Sequence, residues 1–230
     1  MSGPEARVQV AMILAAGRGE RLRPLTDSTP KPLLAVHGKP LIEHHLERLA
    51  HAGFTRIVIN LAWLGAQIRA RLGDGARFGV AITYSEESPR ALETGGGIFK
   101  ALPHLRSDPF LVVNGDIFTD IDFGALRLAA DCDAHLVLAP NPPQHPHGDF
   151  ALRAGRALAE GRPRYTFTGV ALYREALFAG CAPGAYPLKP LLLKAMAAGR
   201  CSAQLHRGLW TDVGTVERLE ALNRSGPLLH

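Results

Sequence analysis

Short apolar runs alternate with amphipathic stretches along the first 139 residues. Residues 8–14 form an almost entirely apolar run that ends at a glycine-containing loop, the pattern of a buried strand in a parallel sheet. From Pro40, apolar residues recur at helical spacing until Gly53, and proline at the start with glycine past the end is typical of helix boundaries. By the same criteria we predict strands at 56–61, 80–84, 110–113 and 135–139, and helices at 64–72 and 97–102, the latter ending near Pro103.

This order of elements predicts the fold class. Strands that alternate with helices are typical of an α/β protein with a mostly parallel central sheet, sandwiched by helices and connected by right-handed crossovers. After Pro140 the order changes to a loop at 141–147, strands at 150–152, 165–173 and 202–206, and helices at 188–198 and 215–223. Because no long linker, repeat or low-complexity tract divides the chain, we predict one domain over residues 1–230 with a small β-rich insertion in its second half.

Composition and charge exclude several classes of protein. The chain has 230 residues, 47% of them hydrophobic, which is enough for a core and unlike a disordered chain. No apolar run is long enough to cross a bilayer and no signal-peptide pattern precedes the first strand, so we expect a cytoplasmic protein without membrane contact. The net charge of +5 comes from scattered arginines, which argues against nucleic-acid binding and suits polyanionic small molecules.

The loop after the first predicted strand is rich in small residues. This glycine loop (residues 14–24) lets backbone N–H groups approach a phosphate closely. Leu22 stands where the dinucleotide-binding fingerprint needs its third glycine, Asn60 stands where it needs an acid, and the Gly-Lys-Ser/Thr of a P-loop is absent. Cations are present instead: Arg18 and Arg21 lie in the loop, and Lys31 is held between two prolines. Taken alone, this segment also fits a solvated basic loop.

Four segments, in this order, resemble the signature of the sugar-1-phosphate nucleotidyltransferase family. They are the glycine loop followed by Pro30-Lys31-Pro32-Leu33, then Glu93-Thr94-Gly95-Gly96-Gly97, Val113-Asn114-Gly115-Asp116, and Trp210-Thr211-Asp212-Val213-Gly214-Thr215. The resemblance implies a Rossmann-like nucleotidyltransferase fold, with a nucleotide-binding part at about 8–140 and a sugar-binding part at about 141–230. It also implies an enzyme that couples a nucleoside triphosphate to a sugar 1-phosphate and releases pyrophosphate.

The resemblance further implies roles for individual residues. Arg21 and Lys31 are the catalytic cations, and Asp116 and Asp212 bind Mg²⁺, which prefers carboxylate and phosphate oxygens. The other assignments are Leu14, Ala15, Gly17, Gly19, Glu87, Gly95 and Asn114 for the nucleotide, and Asp149 and Thr168 for the sugar. Because the attacking phosphate oxygen is already ionised, the site needs cations and N–H groups and no general base.

Some of these residues also have a simpler interpretation. Either aspartate alone fits a turn or a cap, and Glu87 is either an acceptor for uracil N3–H or a surface acid. Trp63 fits core packing. His145 and His147 have the spacing of a metal pair, but their loop offers no third ligand, so we interpret it as a solvated loop.

Within the family, the chain resembles the short bacterial N-acetylmuramate α-1-phosphate uridylyltransferases of cell-wall recycling, on segments 58–65, 93–100, 148–150 and 166–170. The resemblance implies UTP and N-acetylmuramic acid α-1-phosphate as substrates, and we expect a monomer or small homo-oligomer. Larger family members contact the sugar phosphate through a Glu-Lys-Pro stretch. That stretch is missing between Asp149 and Tyr165, so the sugar-phosphate anchor stays unassigned.

Other functions fit the same residues. Mannose 1-phosphate with GTP, or glucose 1-phosphate with dTTP, would use the same chemistry. A catalytically silent nucleotide-sugar sensor would be expected to have lost Lys31, Arg21 or a metal-binding aspartate. All of these are present, which disfavours a sensor. A glycosyltransferase would need an Asp-x-Asp metal motif, and Asp120-Ile121-Asp122 has that spacing but follows the better placed Asp116.

Overall fold

Strands and helices alternate up to residue 114, and mostly strands follow. The computed structural model describes residues 8–87 and 91–225. Its strands are β1 (Val10–Leu14), β2 (Ala35–Val36), β3 (Lys39–Pro40), β4 (Arg56–Leu61), β5 (Ala81–Glu86), β6 (Phe110–Asn114), β7 (Ile117–Thr119), β8 (Ala134–Ala139), β9 (Phe150–Arg153), β10 (Arg156–Leu158), β11 (Arg164–Tyr173), β12 (Cys201–Leu205) and β13 (Trp210–Asp212). Its α-helices are α1 (Leu25–Ser28), α2 (Leu41–His51), α3 (Gly65–Leu72), α4 (Glu93–Leu105), α5 (Lys189–Ala197) and α6 (Val216–Arg224).

Nine of the strands form one sheet in the order β5-β4-β1-β6-β11-β8-β12-β10-β9. Strands β5, β4, β1 and β6 are mutually parallel, as are β8 and β12. Strand β11 is antiparallel to both β6 and β8, β9 and β10 pair as an antiparallel hairpin, and β9 also pairs antiparallel with the start of β11. The predicted α/β class is confirmed, and the sheet is mixed because the second half of the chain contributes the antiparallel strands.

Strand β1 explains why helices cover both faces of the sheet. Ala11 and Ile13 belong to one apolar cluster, with side chains from α2 and α3. Val10 and Met12 belong to a second cluster, with side chains from α4 and α5. Because successive side chains of a strand point to opposite faces, an apolar run such as β1 has to be covered on both. In the described part of the chain, no helix is long and apolar enough to cross a membrane.

Helix α4 corrects the predicted helix at 97–102. It begins at Glu93 and continues through Pro103 to Leu105, so both predicted boundaries are wrong. The glycine-rich segment is therefore the first turn of a helix. Glycine is a poor helix former, but a Cβ at Gly96 would lie 2.0 Å from the carbonyl oxygen of Gly184, so this close contact requires glycine. Pro103 lies near the helix end, where its missing N–H removes one hydrogen bond without ending the helix.

A two-stranded ladder lies outside the main sheet and was not predicted from the sequence. Strands β7 and β13 pair antiparallel, with Asp212 opposite Ile117. Each strand is only three residues long, too short for a periodic pattern to stand out. The ladder joins two segments about a hundred residues apart and places Asp212 beside Asp116.

Candidate active site

A cleft of about 250 Å³ opens at the carboxyl ends of the parallel strands β1, β4 and β6. Ligands of open α/β sheets bind at this edge. Most of the residues predicted for the nucleotide and the metal line the cleft together: Leu14, Ala15, Gly17, Gly19, Lys31, Glu87, Asn114 and Asp116. Gly95 does not line it, because that residue packs against the Tyr186 ring and Glu93 and Thr94 form this part of the wall.

The glycine loop is packed on one side and open on the other. Gly19 has a φ of 69°, and a Cβ there would lie 2.9 Å from Cγ2 of Thr26, so a side chain would be strained. The Thr26 hydroxyl donates to the carbonyl oxygen of Gly19 at 2.9 Å. At Gly17, in contrast, a Cβ would meet no atom within 4 Å. A ligand can therefore approach the backbone at Gly17.

The arginines of this region differ in their contacts. The Arg18 guanidinium stacks on the Trp63 ring, 3.8 Å from its centroid, and pairs with Asp27 at 2.7 Å. Arg23 pairs with the same carboxylate at 2.9 Å. Arg21 is exposed and, among the residues that the structure describes, forms no ion pair. Of the three, Arg21 is thus the cation left free for an anionic ligand. Trp63 is half-buried, and its ring holds an arginine where core packing was expected.

Lys31 is the buried cation of the cleft. It stands between two prolines and is the first residue of a 3₁₀ turn, Lys31–Leu33. Its Nζ donates to Oδ2 of Asp116 at 2.5 Å. The pair lies next to His45 of α2, which interacts with Asp116 and with the backbone of Ile117. Burial lowers the pKa of His45 to about 4. At neutral pH this ring is uncharged, so Lys31 is the cation that balances Asp116.

The two aspartates predicted to bind metal are brought together by the β7–β13 ladder. The N–H of Val213 donates to the backbone carbonyl of Asp116 at 2.7 Å. The Asp212 carboxylate accepts from Arg218 at 2.9 Å and from Gln144 at 3.2 Å. Within residues 8–87 and 91–225, no three or more His, Cys, Asp or Glu side chains cluster as a ligand set. Two carboxylates fit Mg²⁺, which usually takes its other ligands from substrate phosphates and water.

Glu87 is buried, with 3% of its surface exposed, so it is not a surface acid. Its Oε1 accepts from the side-chain amide of Asn60, and its Oε2 accepts from the N–H of Leu92, both at 2.7 Å. Asn60 also accepts from the N–H of Ala15 at 2.7 Å. In the sequence analysis Asn60 is a mismatch to the dinucleotide fingerprint and part of the resemblance over residues 58–65. Nothing local in the sequence indicates its partnership with Glu87.

A second cavity of about 270 Å³ adjoins the first, and Leu14, Thr94 and Asn114 line both. Asp149 lines it as predicted, and one oxygen of its carboxylate accepts from the backbone N–H of Phe167 at 2.8 Å. The other oxygen lies 3.3 Å from Nε2 of His145.

The structure corrects the predicted sugar-binding role of Thr168. It is buried, and its hydroxyl donates to the carbonyl oxygen of Val137 at 2.7 Å within the sheet. A β-bulge between Phe167 and Ala171 brings Gly169 to the cavity wall, while the Thr168 side chain stays in the sheet.

Lys189 is a residue of this second cavity that sequence reasoning missed. It is the first residue of α5, lies in the cavity wall and is exposed. Within the described ranges it forms no ion pair. The Lys189-Pro190 step at the start of a predicted helix could have indicated this residue. It was missed because a sugar-phosphate anchor was sought only between Asp149 and Tyr165.

Comparison with known proteins defines the class. Residues 10–150 match the family described as nucleotidyl transferase, and the chain belongs to this family. It is 56% identical over 219 residues to an N-acetylmuramate alpha-1-phosphate uridylyltransferase of Neisseria meningitidis serogroup B, covering 91% of this chain and 95% of the relative. A protein of the same description from Caulobacter vibrioides is 35% identical over 227 residues, covering 90% and 92%.

The fold is also found among solved structures. A Bacillus anthracis structure assigned to the glucose-1-phosphate thymidylyltransferases, in complex with a sucrose, superposes with a TM-score of 0.83 at 23% identity, covering 96% of each chain. Family and fold predicted from the sequence are thereby confirmed, and the chain is a nucleotidyltransferase.

Proposed function

We propose that this chain transfers the uridylyl group of UTP to N-acetylmuramic acid α-1-phosphate, giving UDP-N-acetylmuramic acid and pyrophosphate in cell-wall recycling. The observation that carries the reaction class is the Lys31–Asp116 pair beside the open backbone of Gly17. This pair puts a cation and a carboxylate in the wall of the cleft, which we propose as the site of the triphosphate. The choice of substrates is supported by the relatives of 56% and 35% identity, which align along about nine tenths of this chain.

The proposed reaction is a single displacement at the α-phosphorus of UTP. An oxygen of the sugar phosphate forms the new bond while the bond to the β-phosphate oxygen breaks and pyrophosphate leaves. The nucleophile is ionised at neutral pH, so the barrier comes from bringing two polyanions together. Lys31 and Arg21 offset that repulsion and stabilise charge on the pyrophosphate, and the N–H groups around Gly17 cradle the phosphates.

We propose Mg²⁺ as the metal, held by Asp116 and Asp212. When bound, the ion supplies positive charge that neutralises phosphate oxygens of the nucleotide. The β7–β13 ladder supports this proposal, because it pairs Asp212 with Ile117, the residue that follows Asp116 in the chain. Lys31 and Arg218, which pair with them, hold both carboxylates in position.

The second cavity is the proposed site of the sugar phosphate. It shares a wall with the nucleotide cleft, so the two substrates meet at Asn114. Asp149 can accept a hydrogen bond from the sugar, and Lys189 can pair with its phosphate. Gly169 lies in the same wall and packs against the Asn114 side chain, where a Cβ would come within 2.5 Å of that side chain.

The assembly and location follow from the same proposal. Residues 1–230 act as one nucleotidyltransferase domain, as a monomer or small homo-oligomer. A cytoplasmic location gives the enzyme its supply of UTP.

Pyrophosphate release tests the proposed function. Purified protein is incubated with each of four nucleoside triphosphates and a panel of sugar 1-phosphates, in the presence of Mg²⁺. We expect UTP with N-acetylmuramic acid α-1-phosphate to give the highest kcat/KM. If mannose 1-phosphate with GTP, or glucose 1-phosphate with dTTP, gives the highest value, the substrate assignment is wrong and the class alone remains.

A further inference from the structure

A buried chain of hydrogen bonds crosses beneath the nucleotide cleft. The N–H of Ala15 donates to Oδ1 of Asn60, Nδ2 of Asn60 donates to Oε1 of Glu87, and the N–H of Leu92 donates to Oε2 of Glu87. All three bonds measure 2.7 Å, and each of the two side chains is only 3% exposed. The chain joins the start of the glycine loop to the residue that precedes α4.

These contacts fix the orientation of both side chains. Asn60 accepts with its oxygen and donates with its nitrogen, whereas Glu87 accepts with both oxygens. Buried polar groups that lose a partner cost more than the bond itself contributes, so an arrangement with every group paired is strongly preferred. Gly97 of α4 allows the close packing, since a Cβ there would lie 2.5 Å from Oε1 of Glu87 and 3.2 Å from Nδ2 of Asn60.

The two ends of the chain of bonds belong to two different segments of the cleft wall. Ala15 lies in the glycine loop, and Leu92 precedes Glu93 and Thr94, which line the cleft. No other side chain in the described part of the chain bridges the N–H of Ala15 to that of Leu92. Asn60 and Glu87 are therefore the side chains that link these two segments directly through hydrogen bonds.

We propose that Asn60 and Glu87 are positioning residues that set the width of the nucleotide cleft through the backbone of Ala15 and Leu92. The inference rests on the proposed function for the identity of the nucleotide, and it gives Glu87 a role other than direct contact with the base. It also gives a role to the asparagine near the carboxyl end of β4.

A swap of the two side chains tests this proposal. Asn60→Asp alone places two carboxylates together, and Glu87→Gln alone leaves one amide nitrogen facing a donor. In the double variant every bond can re-form: the new carboxylate at 60 accepts from Ala15 and from the amide at 87, which in turn accepts from Leu92. UTP affinity is measured by titration calorimetry without sugar phosphate, together with KM for each substrate. Asn223→Asp is the matched control, because that amide bridges His37 and Ala35 away from the cleft.

We expect each single variant to weaken UTP binding by about tenfold or more, with KM for the sugar phosphate changed less. The double variant should bind UTP within about threefold of the natural chain, and the control should equal it. Single variants that bind UTP normally, or a folded double variant no better than either single one, would overturn the proposal.

Two further observations keep the test decisive. If the single variants do not fold, hydrogen exchange in the natural chain replaces them: the N–H groups of Ala15 and Leu92 should be protected, and unprotected exchange contradicts the proposal. If the natural chain binds another triphosphate in place of UTP, but the swap still controls that binding, the substrate assignment fails and the positioning role stands. The reverse result, normal UTP turnover in every variant, removes the positioning role alone.

Discussion

Nζ of Lys31 donates to Oδ2 of Asp116 at 2.5 Å, although the two residues are 85 positions apart in the chain. The lysine side chain is 10% exposed and the aspartate side chain is 36% exposed, so the carboxylate is the more accessible member of the pair. In this arrangement the cation proposed to bind phosphate forms an ion pair with the carboxylate proposed to bind metal. In the proposed reaction, a magnesium–triphosphate complex would give each of them a new partner.

Removal of the Lys31 charge should slow the reaction without unfolding the protein. We expect Lys31→Ala to lower kcat/KM by roughly 100-fold or more, because a cation that stabilises transition-state charge contributes about 3 kcal/mol. Lys39→Ala is the control, since Lys39 pairs with Glu47 on the surface. Steady-state pyrophosphate release and thermal unfolding are measured together. Normal kinetics in Lys31→Ala would remove this residue from the mechanism.

Arg21 and Arg23 provide a matched pair of exposed arginines. Arg23 already pairs with Asp27, whereas Arg21 forms no ion pair among the residues described. We expect Arg21→Ala to lower kcat/KM by roughly 100-fold, for the reason given for Lys31, and Arg23→Ala to change it little. Equal effects of the two substitutions on the initial rate would mean that Arg21 has no specific role.

The metal requirement should depend on both cleft aspartates. Excess chelator should abolish activity, and Asp116→Asn or Asp212→Asn should raise the Mg²⁺ concentration needed for half-maximal rate, because each removes one anionic oxygen ligand. Asp120→Asn is the control, since Asp120 pairs with His206 at 2.8 Å. Magnesium titrations of the rate distinguish the variants. Full activity in chelator, or the same requirement in all three variants, contradicts the assignment.

Lys189 should act on the sugar phosphate and not on the nucleotide. We expect Lys189→Ala to raise KM for the sugar 1-phosphate about tenfold, as loss of a charge-assisted contact does, while KM for UTP stays unchanged. Lys194→Ala, on the same helix but outside the cavity wall, should change neither constant. A rise in KM for UTP alone would place Lys189 in the wrong subsite.

Acid should destabilise the fold through a buried histidine far from the cleft. Burial lowers the pKa of His135 below its ordinary value of 6.5, so the unfolded chain binds this proton at a higher pH than the folded chain. The free energy of unfolding should therefore be unaffected by this group above pH 6.5 and should decrease as the pH falls below it. Chemical denaturation at several pH values should show a shallower decrease in His135→Gln than in the control His51→Gln, whose histidine is exposed. Equal slopes would contradict this prediction.

The elements with long periodic patterns were predictable from the sequence. Strands β1, β4 and β6 lie within two residues of their predicted bounds, because buried parallel strands are continuous apolar runs. The glycine loop and Lys31 were predictable because small residues and prolines restrict the backbone locally.

The remaining parts of the site depend on contacts between distant segments. Asp212 reaches Asp116 only through the three-residue strands of the β7–β13 ladder, and Asn60 meets Glu87 only because β4 and β5 are neighbours in the sheet. Thr168 was misassigned for a related reason. The register shift in β11 turns its side chain into the sheet, and a bulge of this kind has no strong sequence pattern.

A competition assay tests the central claim most directly. Equal concentrations of UTP, CTP, GTP and dTTP are mixed with N-acetylmuramic acid α-1-phosphate, Mg²⁺ and the protein, and the nucleotide sugars are separated and quantified at low conversion. Their ratios equal the ratios of kcat/KM for the four triphosphates. The account predicts UDP-N-acetylmuramic acid as the main product. A main product that carries guanine or cytosine, or no nucleotide sugar at all while mannose 1-phosphate is turned over with GTP, would contradict it.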